Sequence, residues 1–101
     1  MDARIDNIIE RLKDVYDPEI PVNVYDLGLI YNVDIDDSNK ANIIMTLTAP
    51  GCPVADILVE DVRQATLAVD GIVEADVELV FDPPWDKSMM SEEARLELGF
   101  F

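Results

Sequence analysis

One thiol dominates the chemistry open to this chain. Cys52 is its single cysteine and there is no histidine. It lies in the run Thr46-Leu47-Thr48-Ala49-Pro50-Gly51-Cys52-Pro53-Val54-Ala55. Pro50 and Gly51 break a strand pattern, and Pro53 suits the first turn of a helix, where a missing N–H leaves nothing unsatisfied. The spacing predicts Cys52 at or beside a helix N-cap, with free backbone N–H groups and the positive helix end close by. That setting favours the thiolate, which attacks sulfur and binds metal. The competing reading is a small side chain filling a turn.

What is missing narrows the chemistry further. No second cysteine exists for a disulfide or a redox pair, and without histidine a structural zinc site has no ligand set. No imidazole can serve as the base of a thiol enzyme, although a helix N-terminus can activate cysteine unaided. Neither a phosphate-binding glycine loop nor a dinucleotide fingerprint occurs. The expectation is a protein that is not an enzyme.

The elements that must position Cys52 follow from periodicity. Ile5, Ile8, Ile9, Leu12, Val15 and Tyr16 form one helical stripe, with Asp2 as N-cap and Asp17-Pro18 as the stop. Leu29, Tyr31, Val33 and Ile35 alternate with Asn32, Asp34 and Asp36. After the turn Asp37-Ser38-Asn39-Lys40, Ala41, Ile43, Met45 and Leu47 alternate with Asn42, Thr46 and Thr48, which predicts a hairpin. A second helix is predicted from about Pro53 to Val69, with Val54, Ile57, Leu58, Val62, Ala65 and Val69 on one side and Gly71 beyond its end. Val73, Ala75, Val77, Leu79 and Phe81 mark a third strand. Asp82-Pro83-Pro84-Trp85 then leads to a short helix from Ser91 to Leu98, closed by Gly99.

These elements predict an α+β two-layer sandwich: a helix-strand-strand-helix-strand core with a short C-terminal helix, in one domain over residues 1–101. The third strand is expected parallel to the second, beside it or one strand removed. Alternation points Ile30, Ile44 and Val80 at the outer face, which therefore needs a cover, from the tail helix or a second subunit.

With 22 acidic against 7 basic residues, the formal net charge is −15. That field repels phosphate backbones and anionic membrane surfaces, so neither nucleic acid nor membrane is an expected partner. No apolar run approaches the roughly 20 residues of a membrane span. The N-terminal Met1-Asp2-Ala3-Arg4-Ile5-Asp6 lacks the form of a signal peptide, so the cytoplasm is the expected compartment.

Three stretches carry a resemblance. They are Asp17-Pro18-Glu19-Ile20-Pro21-Val22-Asn23-Val24-Tyr25-Asp26-Leu27-Gly28-Leu29-Ile30-Tyr31, then Met45 to Pro53, then Phe81-Asp82-Pro83-Pro84-Trp85 with Met90-Ser91-Glu92-Glu93-Ala94-Arg95. In this order and spacing the chain resembles the SufT/PaaD-type family of iron–sulfur cluster assembly and maturation factors, from about Asp14 onward. The resemblance implies that Cys52 is the reactive cysteine of a Thr-x-x-x-Cys-Pro motif beginning at Thr48. It matches Asp17 and Glu19 to the acidic pair of an Asp-Pro-Glu motif, and Asp26 to the acidic residue before Leu-Gly-Leu. PaaD-like members carry a cysteine-rich tail; the end at Phe101 favours the stand-alone SufT-like branch.

The resemblance implies cluster handover or targeting to client proteins through Cys52 and protein contacts. Expected partners are iron–sulfur assembly proteins, client apo-proteins and, for a shared site, a second copy of the chain. A cluster ordinarily takes four thiolates, so one chain cannot store it alone. The expected cargo is a transient cluster or iron, shared between subunits or with a partner. Asp17 and Glu19 can assist iron as oxygen donors or can brace the loop between two prolines. Asp26 can hold the turn into the first strand, and Thr48 can hydrogen-bond near the Cys52 turn or be a plain strand residue. Two alternatives stay open: a small interaction module with an incidental cysteine, and a PaaD-like subunit assisting a ring hydroxylase.

Overall fold

The hydrophobic alternation of the second predicted strand becomes the centre of the molecule. The structure, a computed structural model, describes residues 3–17, 20–48 and 55–99. Helix α1 (Ala3–Leu12) precedes β1 (Ile30–Ile35) and β2 (Lys40–Met45). Helix α2 (Ala55–Leu67), β3 (Glu74–Leu79), a single 3-10 turn (Lys87–Met89) and α3 (Glu92–Leu98) follow. The sheet order is β1-β2-β3, with β1 antiparallel and β3 parallel to β2. The expected α+β core order holds, and the third strand returns directly beside the second.

Ala41, Ile43 and Met45 on β2 are buried in one cluster with Ile8 and Leu12 of α1 and Leu58 and Val62 of α2. Helix α1 packs on α2 and β1, and α2 lies on β3. Each large aliphatic side chain buried here contributes about 1.5–3 kcal/mol from removal of apolar surface from water. The opposite face of the sheet exposes Asp34, Asp76 and Glu78.

The hairpin tip is held by Asp36, whose carboxylate accepts from the Ser38 hydroxyl at 2.7 Å and from the backbone N–H of Ser38 and Lys40. The Ser38 hydroxyl first, and the Lys40 N–H next, hold its carboxyl below the usual range. Asn39 takes the left-handed φ of 64° that the reversal needs. Arg4 Nη1 donates to Asn39 Oδ1 at 2.8 Å and to the Gly71 carbonyl at 3.2 Å, tying the start of α1 to the tip and to the end of α2.

Four sequence expectations are corrected. The first helix stops at Leu12 rather than at Asp17-Pro18. Val15 and Tyr16 instead pair with the chain returning from the proline loop: Val24 N–H donates to the Val15 carbonyl at 2.8 Å, and Tyr16 bridges Asn23. That exchange buries Val15, Val22 and Val24 but leaves Tyr16 58% exposed. Second, β1 carries an extra residue at Tyr31, because Ile30 pairs with Met45 and Asn32 with Ile44. Paired residues share a face, so this bulge turns Ile30 toward the core side of Met45 instead of outward. Third, Ile57 leaves the buried stripe of α2 and is 62% exposed. Fourth, Val73 and Phe81 fall outside the limits of β3 and are exposed.

The tail folds back against the Leu27 turn and the start of β1 rather than over Ile44 and Val80. Trp85 Nε1 donates to the Leu27 carbonyl at 2.7 Å, and the Tyr31 hydroxyl donates to the Pro83 carbonyl at 2.8 Å. Ser91 caps α3 by accepting from Ala94 N–H, and Gly99 closes it in the left-handed conformation. Met90 and Ala94 are thereby buried in the core cluster.

Candidate functional site

Topology sets which candidate residues share one end of the molecule. Since α1 begins at the hairpin tip, its other end runs to the far end of the sheet, where β1 begins and β2 finishes. There Thr46 N–H donates to the Leu29 carbonyl at 2.8 Å. Asp17, Asp26 and Thr48 all lie at this end. Cys52 and Glu19 lie outside the described residues: Cys52 in the stretch linking Thr48 to Ala55 of α2, Glu19 between Asp17 and Ile20. The N-cap position expected for Cys52 lies outside them too.

The two described carboxylates brace turns. Asp17 Oδ1 accepts from Ile20 N–H at 3.0 Å, closing the start of the proline loop, while Asp17 N–H donates to the Val22 carbonyl at 3.3 Å. Asp26 and Asn23 clasp each other. Asn23 Nδ2 donates to Asp26 Oδ2 at 2.8 Å, and Asp26 N–H donates to Asn23 Oδ1 at 2.9 Å. The Asp26 carbonyl in turn accepts from Ser91 N–H at 2.8 Å, joining this turn to the tail. Among the described residues, no three carboxylates gather into a group able to hold a metal ion.

Asn23 was not singled out by sequence reasoning, yet it is buried and orients Asp26. The i, i+3 spacing of an asparagine and an aspartate is the signal, since it lets the first side chain accept from the backbone N–H three residues on while its amide meets the carboxylate there. Thr46 was read as an ordinary alternating strand residue. It is fully buried, and among the described residues its Oγ1 has no hydrogen-bond partner. Such a group costs about 1–3 kcal/mol. Thr48, two residues on, is half-buried.

A paired substitution separates bracing from charge at Asp26. Asp26→Ala strands the buried Asn23 amide and is expected to lower unfolding free energy by about 1–2 kcal/mol. Asp26→Asn still offers an acceptor oxygen and is expected to stay within about 0.5 kcal/mol of wild type. Urea denaturation measures both, and equal losses would refute the clasp as the reason for the residue.

A mixed three-stranded sheet under two antiparallel helices, with the lone thiol in the link from central strand to helix, defines a small α+β protein class. The chain belongs to the iron–sulfur cluster assembly protein family, whose pattern matches residues 5–79. An Fe–S protein maturation auxiliary factor of Porphyromonas gingivalis is 57% identical over 95 residues, covering 94% of this chain and 90% of that protein. The Fe–S protein maturation auxiliary factor YitW of Bacillus subtilis is 40% identical over 98 residues, covering 97% and 96%. The crystal structure of a domain of unknown function (DUF59) from Bacillus anthracis superposes with a TM-score of 0.91 at 39% identity, covering 98% of this chain and 94% of that one. Among the described residues, no helix is long and apolar enough to cross a membrane.

Proposed function

We propose that this chain is an auxiliary factor in the maturation of iron–sulfur proteins, a carrier rather than a catalyst, working in the cytoplasm with assembly proteins and client apo-proteins. The observation that carries this reading is one cysteine and no histidine in a chain of that family. Cys52 as thiolate would supply one ligand to a cluster or iron cargo. A second copy together with small thiols, or a partner protein, would supply the rest. Release is then a ligand exchange in which client thiolates replace Cys52 one for one, with no change of redox state. The net charge of −15 supports release, since it disfavours holding an anionic thiolate-ligated cluster.

Asp17 and Glu19 would act beside the cargo as oxygen donors, and Asp26 and Thr48 as supports of the same rim. The bracing bonds of Asp17 and Asp26 are compatible with this, because a carboxylate has acceptor capacity beyond a single hydrogen bond.

Anaerobic reconstitution with iron and sulfide tests the loading step. Wild type is expected to bind at most about one cluster per two chains, and Cys52→Ser to fall to background. Equal iron on both proteins would place the metal on carboxylates. A full cluster on each chain would contradict the ligand count.

A further inference from the structure

The outer side of the two-helix layer carries a groove that no element of the described fold fills. Helix α1 runs antiparallel to α2, and between their outer faces lies an open space of about 370 Å³. One wall is the α2 stripe Asp61, Ala65 and Ala68; the other is formed by Asp14, Val15 and Tyr16 after the end of α1, with Arg11 above them. Ile57 continues the α2 stripe one turn toward the start of α2. Tyr16 and Ile57 are 58% and 62% exposed, although both were expected inside by periodicity. Tyr16 on one wall and Ile57 along the other stand beside small alanines that let another backbone approach closely. A third helix packs on two in this way, with anchors at helical spacing.

Charge selects the occupant. Asp14 and Asp61 have no ion pair among the described residues, and Arg11 is the single cation lining the groove. The whole chain adds a field of −15. A second copy would bring two such fields together, so a homodimer is disfavoured here. We infer that the α1–α2 groove docks an amphipathic helix of a partner protein, its apolar side chains on Tyr16, Ile57 and the alanines and its lysines or arginines beside Asp14 and Asp61. This surface is built from residues other than Cys52. It would hold a partner near the rim without using Cys52.

The probe is a synthetic helix of about 18 residues with leucine on one face and lysine on the other, titrated into the full chain by fluorescence anisotropy. Saturable one-to-one binding is expected. Tyr16→Ala and Ile57→Ser, both on exposed side chains, are expected to weaken it at least about tenfold. The double change Asp34→Asn and Asp76→Asn removes two charges from the opposite sheet face and is expected to alter it less than about threefold. Cys52→Ser is expected to bind as wild type does. Absent saturation, equal weakening by the sheet-face variant, or equal affinity for the same helix with glutamate replacing lysine would each overturn the inference.

Discussion

Gly28→Ala is expected to destabilise the protein by about 3 kcal/mol or more. Gly28 holds a left-handed φ of +81°, and an added Cβ would collide with the backbone carbonyl of Met89. The conformation alone costs a non-glycine residue about 1–2 kcal/mol, and forced overlap in a packed site adds about 1–3 kcal/mol. Backbone cannot rotate aside as a side-chain tip can, so the tail has to lift from the Tyr25–Gly28 turn. Trp85 is the only tryptophan and bonds the Leu27 carbonyl, which makes its fluorescence a direct report of that lift. A red-shifted native emission should accompany the lower urea midpoint. Gly99 is the control: it has the same φ of +81° but nothing within 4 Å of an added Cβ. Gly99→Ala should therefore cost only about 1–2 kcal/mol and leave the emission unchanged. Equal losses at the two glycines would show that Met89 is not packed against the turn as described.

Cys52→Ser is expected to remove cluster delivery altogether while sparing the fold. A serine hydroxyl is not ionised at neutral pH and is a poor ligand for iron in a thiolate-type site. No other cysteine or histidine is available to substitute. The loss should be to the background of uncatalysed reassembly, far larger than any expected at Asp17 or Asp26, whose described bonds brace turns.

Much of the fold was legible because single residues carried unambiguous local signals. Ala41, Ile43 and Met45 alternate as the buried side of the second strand, and Ser91 and Gly99 bracket α3. The meeting of Leu29 with Thr46 was legible because an antiparallel hairpin sets the start of its first strand beside the end of its second. The misreadings arose where tertiary pairing overrode period. Val15 and Tyr16 continue a helical stripe in sequence, but their backbone groups pair with Val22, Asn23 and Val24. Nothing in an alternating string marks Tyr31 as the extra residue, since a bulge is fixed by the partner strand. Ile57 fits the buried stripe by spacing alone, yet lies where the helix faces away from the sheet. The clasp of Asn23 with Asp26 was present as a spacing, but asparagine in a loop has many local partners.

Passage of a cluster from Cys52 to a client is open to one direct transfer measurement. Wild type and Cys52→Ser are treated anaerobically with identical iron and sulfide and freed of unbound reagents. Each is then mixed with an apo iron–sulfur enzyme in the presence of a chelator that captures released iron, and enzyme activity is followed. Activation is expected with wild type and none above background with Cys52→Ser. Equal activation by both proteins would contradict passage from Cys52.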